Sequence, residues 1–276
     1  MKLKGIILTM LSSITFGFGF TLAPMTYGVG GSNPVTLTFL RSFLSLPFLL
    51  LIVLFLKINL KVTKSQLKNL VILGFVGNAI TTLMLNIAFA HLDVGIVIPL
   101  HFTYPVFVTL GCVLFFNEKL SKQKIIALVI AMCGIGCFFI ESLNSASFSS
   151  STLLGLILAV ASGAFYAFYI IFMDKSGLKG ESPFKITFYV AINSSICMFF
   201  YGIFTNELVL SSLTTKSWII SSVFAFLCTV VALSLLQVGI KYIGASEAAV
   251  ISTFEPITSV IFGVLLLGEK VTPLKI

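Results

Sequence analysis

The sequence predicts an all-α integral membrane protein built from two inverted five-helix repeats, and three observations carry that expectation. First, 58% of the 276 residues are hydrophobic and only 9% are charged, against roughly 25% charged in a soluble domain. That is too little charge to cover a water-facing surface, and the mean hydropathy of +1.13 agrees. Second, apolar stretches of about 20 residues, the length that crosses a bilayer, recur along the whole chain. Third, the chain aligns with itself at an offset near 150 residues, and internal repeats decide a fold.

This composition excludes a soluble enzyme, a nucleic-acid-binding domain and a secreted disulfide scaffold. The net charge of +8 does not point to nucleic acid, because the basic residues sit in short loops between apolar runs. Cys112, Cys133, Cys137, Cys197 and Cys228 all fall inside apolar segments. An odd number of such thiols reads as packing residues, not as bridges or metal ligands.

Nine spans are predicted. The first, 4–27, starts behind Lys2 and Lys4 like a signal peptide, but it is too long and lacks a small-x-small cleavage site. It is read as a retained helix. Gly28, Gly30, Gly31 and Pro34 then break the helix and turn the chain into the second span, 34–56. The others are 68–90, 94–116, 121–141, 152–173, 183–205, 216–241 and 244–267. Thirteen lysines flank one side of this pattern, among them Lys2, Lys61, Lys119, Lys185 and Lys241; Lys216, Lys270 and Lys275 flank the other. By the positive-inside rule the amino terminus is cytoplasmic, in a multi-pass protein of the plasma membrane.

The repeat is legible residue by residue. Gly5-Ile6-Ile7-Leu8 opens the first span as Gly155-Leu156-Ile157-Leu158 opens the sixth, and Ser12 falls on Ser162. Pro34, Thr38 and Phe39 open the second span as Pro183, Thr187 and Phe188 open the seventh. Tyr104-Pro105 aligns with Glu255-Pro256, and Glu118-Lys119 with Glu269-Lys270, at one offset of 151. Units of five spans, an odd number, insert with opposite topology. Such inverted repeats recur in secondary transporters, with the substrate near the midplane.

On these residues the chain resembles the EamA-type permeases of the drug/metabolite transporter superfamily. The carriers are the glycine-led first and sixth spans, Pro34 with Arg41, and the endings Pro105 to Glu118-Lys119 and Pro256 to Glu269-Lys270. The resemblance implies ten helices in two inverted halves and the movement of small metabolites, often amino acids. The expected units are 1–141 and 152–276. After Glu269-Lys270 only six residues remain, so the tenth helix is expected to be missing, either because the product is truncated or because this is a natural nine-helix variant, for which nothing in the sequence argues.

Ionisable groups inside a membrane are functional candidates by default. Glu255 leads, near the centre of the ninth span and just before Pro256. That proline is expected to leave the Ser252 carbonyl without its donor and, with Pro105, to kink its helix. Ser252, Glu255, Thr258 and Ser259 share one helix face. The competing reading is a carboxylic acid locked to a hydroxyl as structural glue. Arg41 is either a counter-charge for a carboxylate or a side chain that snorkels to the headgroups. His101 and Tyr104 repeat the Glu255 arrangement before Pro105. Asn78, Thr82 and Asn86, at i, i+4 and i+8, form a polar stripe on the third span. Tyr166, Tyr169 and Gln237 are weaker candidates, since polar side chains also serve as interhelical glue. His91 and Asp93 read as a solvated turn.

The leading reading is a secondary transporter of a small organic solute, with protons as the candidate coupling ion and no cofactor. No G-x-x-x-x-G-K-[ST] motif supplies nucleotide hydrolysis. The alternatives are an intramembrane enzyme and a non-transporting scaffold. Two histidines without an H-E-x-x-H pair supply a metal site poorly, and a scaffold has no need of a mid-membrane glutamate beside a proline.

Overall fold

The structure is a computed structural model that describes residues 2–28, 30–119 and 150–268, with isolated positions between 122 and 136. The predicted fifth span, including Gly134 and Cys137, lies largely outside the described residues, as do Glu269 and Lys270. Twelve α-helices are described: α1 (Lys2–Leu22), α2 (Pro34–Phe43), α3 (Ser45–Phe55), α4 (Lys64–Ile72), α5 (Thr81–His91), α6 (Val94–His101) and α7 (Tyr104–Phe116), then α8 (Ser150–Lys175), α9 (Pro183–Phe204), α10 (Thr215–Ala225), α11 (Leu233–Ile251) and α12 (Phe254–Leu267). Among the described residues, seven helical stretches are long and apolar enough to cross a membrane, and Phe254–Leu267 is apolar but shorter.

Local chemistry places the starts. Asn33 caps α2 by accepting from the Thr36 N–H at 2.7 Å, with Pro34 in the first turn where its missing N–H costs nothing. Thr63 and Gln66 form a reciprocal capping box at α4. Asn117 ends α7 in the left-handed region with φ 52°. π-Helical turns, Leu73–Ile80 and Phe226–Ala232, join α4 to α5 and α10 to α11.

The predicted boundary between the eighth and ninth spans falls beside Gly244, whose φ of 80° and ψ of 168° interrupt α11. Only glycine adopts that backbone without strain. The fourth span is broken at Phe102-Thr103, and the last at Ser252-Thr253. Pro105 and Pro256 therefore stand in the first turns of new helices, where a proline ring is tolerated, and do not kink continuous ones. The Ser252 carbonyl is not left without a donor either: it accepts from the Glu255 N–H at 3.0 Å.

The helices exchange partners between halves. α1 packs on α11 and α12, whereas α8 packs on α5, α6 and α7. α2 and α9 pair with each other. The lysine-bearing segments gather at one end: Lys2 pairs with Glu247 at 3.1 Å, Lys185 donates to the Lys61 carbonyl at 2.7 Å, and Lys4 lies over Tyr242. At the opposite end Asn33 donates to the Glu207 carbonyl, and Thr214 N–H to the Gly30 carbonyl.

Burial is inside-out relative to a soluble protein. Phe55, Leu114, Phe115, Phe204 and Leu265 are among the most exposed side chains, while Arg41, His101, Gln237 and Glu255 are buried. An apolar exterior suits lipid, and groups that cannot be left in lipid turn inward.

Candidate functional site

Glu255 lies in the first turn of α12, 2% exposed. Its carboxylate makes no hydrogen bond and no ion pair within 4.0 Å among the described residues. The break before α12 puts it at a helix N-terminus, where the backbone dipole favours negative charge. Gly17 of α1 lets the helices approach here, since a Cβ at that position would sit 2.9 Å from the Glu255 carbonyl oxygen.

Tyr104 opens α7 as Glu255 opens α12, and it is fully buried. Its hydroxyl makes no hydrogen bond of good geometry, although Ser252, also buried, lies beside it. His101 ends α6 and its Nδ1 is 2.8 Å from Ser162 Oγ. Ser162 spends its single hydrogen on the Ala159 carbonyl at 2.6 Å. Nδ1 is therefore the donor, and Nε2 of the neutral ring keeps a free lone pair.

Tyr166 and Tyr169 of α8 complete an aromatic row. Tyr166 meets the His101 ring at 5.2 Å and the Tyr104 ring edge-on at 4.9 Å, and it stacks on Tyr169 at 6.0 Å. Gln237 of α11 donates to the Tyr169 hydroxyl at 2.7 Å, leaving its own Oε1 buried without a partner. Glu255 is within electrostatic reach of Tyr104 and Tyr166.

Arg41 is buried at the end of α2 and does not reach the headgroups. Its Nε donates to Thr229 at 3.3 Å and its Nη1 to Thr82 at 3.2 Å, with the guanidinium 5.6 Å from the Phe224 ring centre. Its field reaches Glu255 and His101, but it forms no ion pair with the carboxylate.

The polar stripe on the third span is split: Thr82 meets Arg41, while Asn78 and Asn86 bond elsewhere. Asn78, shifted by the π-helical turn, donates to Ser194 at 2.8 Å. Asn86 donates to Thr38 at 2.9 Å. Both bonds tie one helix to another, and Thr82 alone of the three meets a charged group. Thr258 and Ser259 spend their hydroxyls on the Glu255 and Pro256 carbonyls. His91 and Asp93 are exposed at a turn. Sequence reasoning missed Thr229 and Phe224 altogether, since no local signal ties residues so far along the chain to Arg41. Ser162 was visible only as the repeat mate of Ser12, with no hint of its bond to His101. No group of three or more metal-ligating side chains occurs among the described residues.

Comparison with known proteins agrees with this architecture. A crystal structure 14% identical in sequence superposes with a TM-score of 0.76, over 97% of this chain and 90% of the other. An uncharacterized transporter of Synechocystis is 31% identical over 196 residues, 70% of this chain but only 57% of the relative. The uncharacterized transporter YoaV of Bacillus subtilis is 24% identical over 94% of this chain and 88% of its own length. An uncharacterized transporter of Archaeoglobus fulgidus is 22% identical over 98% of this chain and 92% of its own. The pattern of the EamA-like transporter family matches twice, over residues 3–140 and 153–276, and the chain belongs to that family.

Proposed function

We propose that this multi-pass membrane transporter moves a small organic solute, an amino acid or a related metabolite, by alternating access between two inverted repeats, a first of five helices over 1–141 and a second over 152–276 truncated after its fourth helix. The observation that carries the reading is Glu255: a carboxylate buried at a helix break, with no partner among the described residues. A structural acid locked to a hydroxyl would show that bond. An unpartnered one is suited to exchanging a proton for a solute cation, which is what coupling to a proton gradient requires. Arg41, already holding Thr82 and Thr229, supplies the positive end of the site. Thirteen lysines flank one side of the span pattern in the sequence and three the other, which supports a cytoplasmic amino terminus by the positive-inside rule.

The test is flux in proteoliposomes under an imposed pH gradient, first across a panel of amino acids and amines. Glu255→Gln keeps shape and hydrogen bonding but cannot ionise. It is expected to abolish pH-driven flux while leaving solute exchange partly intact. Unchanged pH dependence in that variant would reduce Glu255 to a packing role.

A further inference from the structure

We infer that the outward face of α4 seats one anionic phospholipid, its phosphate between Lys64 and Lys68 and an acyl chain along Leu67 and Val71. The helix begins the stretch Lys64–His91, 28 residues long. At 1.5 Å per residue that is about 42 Å, against roughly 30 Å of hydrocarbon in a bilayer. Shared between the two ends, the excess leaves the first turn of α4 at headgroup depth. Lys64, Leu67, Lys68 and Val71 follow at i, i+3, i+4 and i+7, so they share one face. All four are exposed, Leu67 at 44% and Val71 at 42%. Two cations one turn apart above an apolar strip match a phosphate with a chain below it. The other faces of α4 are occupied: Gln66 donates to Glu181, Asn69 to the Ser176 carbonyl, and Leu70 is buried.

The two lysines are not spent elsewhere. Among the described residues neither has an ion-pair or hydrogen-bond partner. At the same end Lys2, Lys175, Lys179 and Lys185 pair with acids, Lys4 lies over Tyr242, and Lys241 donates to the Gly180 carbonyl. The first 92 residues contain no Asp or Glu, and Glu181, the acid that α4 meets, is engaged by Lys185 and Gln66. Lys57 and Lys61 add charge in the loop that leads into α4. Lys57 holds a φ of 51°, a left-handed backbone it shares with Asn117 and Asn206 and that asparagine tolerates better than lysine. Nor does the fold require Lys64 and Lys68. In the repeat, 151 residues on, Thr214 caps α10 as Thr63 caps α4, yet Thr215 and Ile219 stand in the places of the two lysines.

The experiment adds phosphatidylglycerol, phosphatidylcholine or sn-glycerol 3-phosphate to the purified full chain in detergent. Native mass spectrometry counts the lipid retained, and thermal shift reads its effect on stability. Phosphatidylglycerol is expected to be retained as one tightly held copy and to raise the melting temperature more than phosphatidylcholine does. In the double variant Lys64→Gln/Lys68→Gln that preference is expected to fall about thirtyfold, the factor that two lysines at about 1 kcal/mol each supply. The control Lys119→Gln/Lys122→Gln removes the same charge at two other exposed positions and is expected to keep the preference. Equal retention of the two lipids, or an equal loss in the control, would overturn the α4 seat in favour of net charge alone. An equal thermal shift with sn-glycerol 3-phosphate would show that the apolar strip contributes nothing and would overturn the lipid as occupant.

Discussion

Arg41 and Thr229, 188 residues apart, are joined by a buried 3.3 Å hydrogen bond. The same guanidinium donates to Thr82, so one side chain of α2 holds both α5, which packs on α8, and the π-helical turn Phe226–Ala232, which packs on α1. Gln237 and Tyr169 make a second such tie, between α11 and α8. Two assemblies that exchange their first helices are thus fastened through polar groups lining the candidate site.

Arg41→Lys is expected to destabilise the protein by about 1–3 kcal/mol, because a single ammonium does not reproduce the fork that engages two hydroxyls. Thermal unfolding in detergent measures the loss. A cycle with Thr229→Val should show coupling of about 0.5 kcal/mol or more. Additive effects would mean that the bond in the structure carries no energy.

Gly163 faces the break between α6 and α7. A Cβ there would lie 2.5 Å from the His101 carbonyl oxygen and 3.0 Å from Thr103 Oγ1. Gly163→Ala is therefore expected to cost about 1–3 kcal/mol through overpacking and to displace His101 and Tyr104. Gly180→Ala is the control, since a Cβ there meets nothing within 4 Å. Equal melting temperatures for the two variants would refute the close approach.

Glu181 connects the lysine-rich loops outside the spans. It accepts from Lys185 at 2.8 Å and from Gln66 at 2.6 Å, and the Lys185 hydrogen bond holds its carboxyl below the ordinary value of 4.5 against the opposing effect of partial burial. A lowered folded value means that the stabilisation is present above pH 4.5 and is lost as pH falls through the folded value. For a partly exposed pair the contribution is at most about 1 kcal/mol. Wild type should lose melting temperature on acidification more steeply than Glu181→Gln, and parallel pH profiles would show that the pair contributes nothing.

The sidedness of the chain is tested by labelling. In a background without native cysteines, Asn59→Cys lies beside the lysine-rich end and Ser212→Cys at the other, both exposed. An impermeant thiol reagent applied to intact cells is expected to modify position 212 and spare position 59. The reverse pattern would invert the orientation.

By itself the sequence determined the solvent the protein folds in, the limits of most spans and the duplication of the chain. Those properties are local or periodic: a run of apolar residues excludes water wherever it sits, and Tyr104-Pro105 against Glu255-Pro256 can be aligned without knowing where either lies. It also marked Glu255, because a carboxylate in an apolar run is expensive in any arrangement of helices. What it could not determine was which polar side chains meet. Asn78, Thr82 and Asn86 look alike along one helix, yet a π-helical turn and two different neighbouring helices send them to Ser194, Arg41 and Thr38. The prolines announced irregular backbone, but only packing put the breaks at Phe102-Thr103 and Ser252-Thr253 and supplied a donor for the Ser252 carbonyl. The tertiary structure decided these points because hydrogen bonds in a bundle form between helices far apart in the chain. Hydropathy records how strongly a residue avoids lipid and carries no information about the partner it finds there.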